Sequence, residues 1–435
     1  MTISSSLSAG VAGLNANATR LATISDNIAN SSTYGYKRAS TEFASVVISS
    51  TRGASTYSAG GVRASTTRLI DERGDLIGTG NALDLAIAGR GMLPVIPLSD
   101  MGSAITDLPM TMTRTGSFRI DADGLLRTES GLVLLGWPAD ADGTIPPFAR
   151  DTISSLEPIV IGANQTAADP TTFMNLGVNL PATYTEAGST AVPPPLSVEY
   201  FGNLGTSESL QFDFIPVVPV AGSSNQWTMQ VRDSASGGAL VGEYTLTFDD
   251  TRGAGGTLAS VAVVSGGAYN AAAGTLALNV AGGPLTVGIG RLGDPNGLTQ
   301  LSDNFAPTSI SKNGSPVGSL TTIEVDENGY VNATYDTGFT RRLYQVPIVD
   351  VPNPNGLVSL SNQAYEISPQ SGSFFLWDAG TGAVGTIEGY SREGSKTDVA
   401  GELTSLIQTQ RAYSSNAKVI QTVDEMLQET TNIKR

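Results

Sequence analysis

The chain has 435 residues, with 50 Gly, 22 Pro, 6% aromatic and 15% charged residues, and a net charge of −16. Histidine and cysteine are both absent, which excludes His-assisted nucleophilic triads, thiol chemistry, disulfides and zinc sites built from those ligands. Carboxylate-only catalysis and calcium binding survive this cut, and the length suits two to four domains of turn-rich, β-dominated structure.

The first 18 residues contain an Ala16-Asn17-Ala18 triplet that mimics a cleavage site, but no basic leader and no apolar core of the required length. No cleavable signal is expected. Leu7, Leu14, Leu21 and Ile28 instead recur every seven residues, predicting a first helix with an apolar stripe. Its companion positions Ser4, Val11, Ala18 and Ser25 are small, and Gly10 and Gly13 weaken the helix by about 1 kcal/mol each relative to Ala. Burying the four Leu/Ile side chains returns about 6–12 kcal/mol, too little to order a lone helix of this length. It needs a partner. The polar run that follows, ending in Gly35-Tyr36-Lys37-Arg38, predicts a helix stop and an extended basic segment.

The middle of the chain reads as β. Residues 66–150 alternate short apolar runs with turn signals at Asp71-Glu72-Arg73-Gly74, Asp121-Ala122-Asp123-Gly124 and Asp140-Ala141-Asp142-Gly143. Residues 151–302 form a second β region, with strands expected at 158–161, 196–201, 211–218, 226–231, 244–248 and 275–280. Residues 303–375 return to the earlier style, with a turn at Asp326-Glu327-Asn328-Gly329. Residues 398–433 then predict a long closing helix. Leu403, Leu406, Gln410, Tyr413, Ala417, Ile420, Asp424 and Leu427 follow at three- and four-residue steps, with Lys434 and Arg435 at its end to suit the macrodipole.

Charge follows this organisation. Residues 1–68 hold 6 Lys/Arg against 2 Asp/Glu, residues 69–302 hold 9 against 23, and residues 303–435 hold 9 against 15. The acidic middle argues against a nucleic-acid partner. No run approaches the length of a membrane-spanning helix, so no membrane insertion is expected.

Several motifs suggest chemistry and fail on context. Gly288-Ile289-Gly290-Arg291-Leu292-Gly293 has dinucleotide-fingerprint spacing, but Asp294-Pro295-Asn296-Gly297 follows where a phosphate-binding helix must begin. The two Asp-Ala-Asp-Gly stretches lack the distal Glu of a calcium loop and read as hairpin turns. Asp249-Asp250 sit next to each other, so on a strand their carboxylates point to opposite faces. Trp137, Trp227 and Trp377 read as core anchors rather than a sugar platform. No cofactor, metal or catalytic residue is assigned.

The blocks NIANSSTYGYKR (27–38), TRTGSFRIDADGLLRTESGLVLLG (113–136), VDENGYVNATYDTGFTRRLYQVPIVDVPNPNGL (325–357), NQAYEISPQSG (362–372) and LTSLIQTQRAYSSNAKVIQTVDEMLQ (403–428) resemble, in order, those of the flagellar axial proteins, the rod and hook family. They total 106 of the 435 residues, about a quarter of the chain. The insert at 151–302 is similar to the outer β domain of the family's hook branch, through EYFGNLGTSESLQFDF and QWTMQV. The resemblance departs at Arg392-Glu393-Gly394-Ser395-Lys396-Thr397-Asp398-Val399, where the family usually has an apolar residue before the Glu and Asn-Val in place of Lys-Thr.

The resemblance implies a mainly β fold with α-helical termini, in four parts. These are a terminal helical domain (1–30 and 398–435) lining an inner tube, a connector (31–65 and 376–397), a discontinuous β body (66–150 and 303–375) and an inserted outer β domain (151–302). It implies a structural subunit of a hollow, bendable extracellular tube, exported without a cleavable signal. Its partners would be copies of itself, rod proteins, a hook cap and hook–filament junction proteins. Leu7, Leu14, Leu21, Ile28, Leu403, Leu406, Tyr413, Ile420 and Leu427 are then expected at subunit interfaces, and Asn27, Asn30, Gly35, Tyr36, Lys37 and Arg38 in the connector. A distal rod protein or a hook-associated junction protein is the alternative within the family. Outside it stands a secreted carbohydrate-binding or carboxylate-dependent hydrolytic β protein.

Overall fold

The computed structural model describes residues 3–46, 60–101, 108–140, 142–162, 166–382 and 384–433. Lys434 and Arg435, invoked above for the macrodipole, lie outside the described residues. The chain divides into two compact units, one made of residues 1–163, 323–333 and 341–435, the other of residues 164–322 and 334–340.

In the first unit, helix α1 (Ile3–Ala29) packs against helix α2 (Val399–Ile433). The pair is antiparallel, because Gly10 near the start of α1 meets Ile420 near the end of α2, while Asn27 meets Glu402 at the other extreme. The two glycines that weaken α1 also let the helices approach. A Cβ on Gly10 would sit 3.2 Å from Ile420 Cγ1, and one on Gly13 would sit 3.1 Å from the Asn416 amide group. Asp398 caps α2, its carboxylate accepting the Ala400 N–H at 3.1 Å and its carbonyl the Glu402 N–H at 2.9 Å.

The rest of this unit is β body, built from both flanks of the insert. Thr111–Thr113 pairs with Ala364–Glu366, Asp84–Ala88 with Thr386–Glu388, and Leu76–Gly78 with Ser391–Glu393, all antiparallel. Its core mixes the two flanks in the same way, with Met92, Ile96, Met112, Val133 and Trp137 packed with Val349, Tyr365 and Leu376. Residues 151–162, expected in the insert, stay with this body: Glu157–Pro158 pairs with Gly136 and Leu135, and Leu156 is buried in the same core.

The second unit holds two sheets over one core. Leu196–Phe201, Ser207–Pro216, Gln226–Asp233, Ala239–Phe248 and Leu258–Ser265 form an antiparallel meander. Along Gln226–Asp233 every second residue is buried, the period of a strand with one face inward. The other sheet is built around Phe173–Pro181, which pairs in parallel with Gly283–Gly288 and Thr299–Leu301 and antiparallel with Ala306–Lys312. Met174, Leu176 and Val178 meet Phe212, Trp227, Met229 and Tyr244 between the sheets, as in a sandwich. Ala306–Lys312 was expected in the body. Its register against Phe173–Pro181 puts it here instead.

Candidate assembly interface

The connector begins where α1 runs out of helix. The Asn30 side chain turns back onto the Asp26 carbonyl at 2.9 Å and carboxylate at 3.0 Å, and Thr33 Oγ1 donates to Asn30 Oδ1 at 3.2 Å. These local bonds compete with further helix. Gly35 then adopts φ +71°, and a Cβ there would meet Thr115 Cγ2 at 2.9 Å, so only glycine fits without strain.

Side chains on both sides of Gly35 tie the connector to its surroundings. Asn27, 1% exposed, accepts the Ala39 N–H at 2.9 Å and donates to the Ala39 carbonyl at 2.8 Å and to Glu402 of α2 at 3.0 Å. Tyr36 donates toward both Asn27 Oδ1 and Asp26 Oδ2 beneath the Arg68 guanidinium, and burial followed by Asp26 pushes its hydroxyl up to about 12. Arg38 reaches Glu402 at 3.4 Å and Glu72 at 3.7 Å.

Lys37 is the deepest member. Its ammonium, on a side chain 1% exposed, lies 2.6 Å from Glu393 Oε1 and also donates to the Glu72 carbonyl. Arg114 Nε holds the other Glu393 oxygen at 2.9 Å, while its Nη1 donates to the Gly89 and Gly91 carbonyls. The Gly74 N–H completes the carboxylate's shell at 2.8 Å. Burial opposes ionisation of Glu393, but Arg114 and Lys37 outweigh it and hold the carboxyl below its usual range. Burial dominates at Lys37 and pulls its ammonium downward against the attraction of Glu393. One carboxylate thus joins the outgoing connector, the returning strand and the body. The neighbouring departure from the family pattern is accommodated locally, since Arg392 lies over the Tyr34 ring at 4.0 Å.

The terminal helices offer a different surface. The buried positions of α1 are Gly10, Gly13, Ala16, Asn17, Ile24 and Asn27, while Leu7, Leu14, Leu21 and Ile28 are half-buried beside them. The Leu/Ile heptad therefore flanks the line of closest approach. On α2 only Glu402, Thr409 and Val423 are buried among the described residues, Leu406 and Ile420 are half-buried, and Leu403, Tyr413 and Leu427 are exposed. Val399, Ile407, Val419 and Met426 add to that exposed apolar set, Ile407 and Met426 being 51% and 54% exposed. Sequence reasoning missed Arg114, Glu393 and the small-residue contact of Gly10 and Gly13. The available signal was two glycines in one turn of an otherwise periodic helix.

The other chemical motifs resolve into structure. Asp121 Oδ1 accepts the Asp123 and Leu125 N–H groups, so the first Asp-Ala-Asp-Gly stretch is a turn. In the second, whose Ala141 lies outside the described residues, Asp142 Oδ1 accepts the Thr144 N–H and the Asp140 carbonyl that of Gly143. Gly288 ends a strand, and no helix follows Gly293. Trp137 and Trp227 are core residues, whereas Trp377 is 38% exposed and lies tilted against Phe375 at 5.1 Å. Among the described residues no His/Cys/Asp/Glu group has a metal-binding arrangement, and no helix is long and apolar enough to cross a membrane.

Residues 7–37 match the family model of the flagella basal body rod protein, and residues 387–433 that of the flagellar basal body rod FlgEFG protein C-terminal region. Lys37 lies in the first match and Glu393 in the second, so the buried ion pair joins them. The chain is similar to the flagellar hook protein FlgE of Brucella suis biovar 1, at 32% identity over 430 residues and 98% of both chains. It is also similar to that of Escherichia coli K12, at 30% identity over 435 residues, covering 98% of this chain and 99% of the other. A crystal structure of Helicobacter pylori flagellar hook protein FlgE2 aligns at TM-score 0.46 and 14% identity, covering 72% of this chain and 99% of that one. At that level the fold is better read from the strand pairings themselves.

Proposed function

The chain belongs to the flagellar hook protein family, and from that premise we propose that it polymerises into a hollow, bendable tube that carries rotation from the rod to the filament. Identical copies meeting through unlike surfaces build an open helical array. The terminal helices form its inner wall, with Leu7, Leu14, Leu21, Ile28, Leu403, Leu406, Tyr413, Ile420 and Leu427 between copies.

The observation that carries this reading is the exposed apolar surface of α2. A helix of 35 residues with three buried side chains among the described residues, and Leu403, Ile407, Tyr413, Val419 and Met426 open to water, is unfinished as a monomer. The second unit supports the complementary role. Its sandwich core is self-contained, so its outer contacts can be small and can slide as the tube bends. No catalytic group takes part.

The family places the chain in the hook and basal body, outside the cell. Rod proteins, a hook cap and hook–filament junction proteins are its proposed neighbours. Leu403→Asp tests the interface. Leu403 is 46% exposed, so the monomer should keep its fold, while a carboxylate in an apolar seam should abolish tubes. Tubes forming at the wild-type concentration would remove Leu403 from the seam.

A further inference from the structure

Beside the connector, α1 and the start of α2 enclose a cleft of about 450 Å³, with Ile24 and Ala39 among its lining and Arg20, Arg38, Arg73 and Lys396 contributing cations. Its own carboxylates are engaged. Glu72 and Glu402 face Arg38, and Asp398 caps α2. Arg73 and Lys396 are exposed, and among the described residues neither makes an ion pair.

Ahead of the closing Lys434 and Arg435 of the sequence, the distal part of α2 has the opposite character. Asp424, Glu425 and Glu429 are exposed, and among the described residues none has a cationic partner. Asp424 accepts only the Gln428 amide at 3.1 Å. Glu425 and Glu429 are four residues apart, where like charges destabilise a helix unless a cation meets them. These acids cannot reach the cleft of their own chain. They stand on the same continuous helix as Glu402, about 22 residues and about 33 Å further along at 1.5 Å per residue.

We infer that the acidic stretch 424–429 of α2 in one copy docks into the Arg73/Lys396 cleft of the next copy, an inference that rests on the assembly reading above. Such a contact is head-to-tail, so it propagates along the tube without closing. It would give the apolar helix seam an axial register, since a slip by one turn would move the carboxylates away from their cations.

Charge reversal tests this with the full chain. Arg73→Glu with Lys396→Glu, and separately Glu425→Lys with Glu429→Lys, should each raise the critical concentration for tube formation by at least about tenfold in low salt. All four substitutions together should bring it back to within about threefold of wild type. Wild-type circular dichroism and proteolytic resistance of each variant establish that the monomer is folded. Either reversed pair assembling at the wild-type concentration, or a folded fourfold variant that fails to recover, would overturn the docking and leave the hook assignment standing. A wild-type chain that forms no tubes under any condition would overturn that assignment and this contact with it.

Discussion

A carboxylate 1% exposed is tolerated only where cations and N–H groups replace its water, and Glu393 has Lys37 on one oxygen, Arg114 on the other and the Gly74 N–H beside them. Glu393→Gln leaves two buried cations without a counter-charge and should destabilise the first unit by about 3–5 kcal/mol, read from urea unfolding. Acid tests the same group. Because its folded pKa lies below the ordinary 4.5, its contribution is complete above that value and is lost as pH falls through the lower, folded one. The acid-induced loss of stability below pH 4.5 should therefore be shallower in Glu393→Gln than in wild type. Gly35 is the second sensitive position. Gly35→Ala places a Cβ in a left-handed conformation against Thr115 and should cost about 1–3 kcal/mol in the same unfolding measurement. A variant as stable as wild type would show that the connector relaxes freely there.

Between Thr409 and the end of α2, Val423 is the only buried side chain among the described residues, and α1 meets this stretch through Gly10 against Ile420 and Gly13 against Asn416. Little apolar area holds the distal halves of the helices together, so in a dilute monomer the amides of residues 5–15 and 416–432 should exchange quickly and become protected on assembly. Protection already complete in a demonstrated monomer would contradict the helix seam. Gly13→Leu should block tubes by forcing Asn416 aside, whereas Leu14→Asp should do so by charging the flanking stripe. Much at this scale was legible in the sequence. The strands at Leu196–Phe201 and Thr275–Val280 and the stop of α1 at Ala29 follow from period and turn chemistry that neighbours in sequence provide. Arg114 and Glu393 were not legible as a pair, because 279 residues separate them and a lone Arg or Glu carries no periodic signal. The limits of the insert were missed for the same reason. Whether Glu157–Pro158 or Ala306–Lys312 belongs to body or insert depends on the strand it pairs with, which lies outside its own local pattern.

At the scale of the molecule, each unit has its own core, and the cores share no residue. Deleting most of the second unit, residues 164–322, with a short Gly/Ser bridge should therefore leave the terminal helices able to assemble, while removing the contacts proposed to select one curved form. Straight or variably curved tubes are the expected micrograph. Normally curved tubes would take the second unit out of the curvature mechanism, and no tubes would place essential cohesion in it. The central claim is that α1 and α2 line the tube with exposed apolar side chains of α2 buried between copies. A helix-resolving electron cryo-microscopy map of polymerised full-length protein tests it most directly. The account predicts α1 and α2 at the lumen, with Leu403, Ile407 and Tyr413 packed against a neighbouring copy. A wall held together by the second unit, with those three side chains facing solvent, would contradict it.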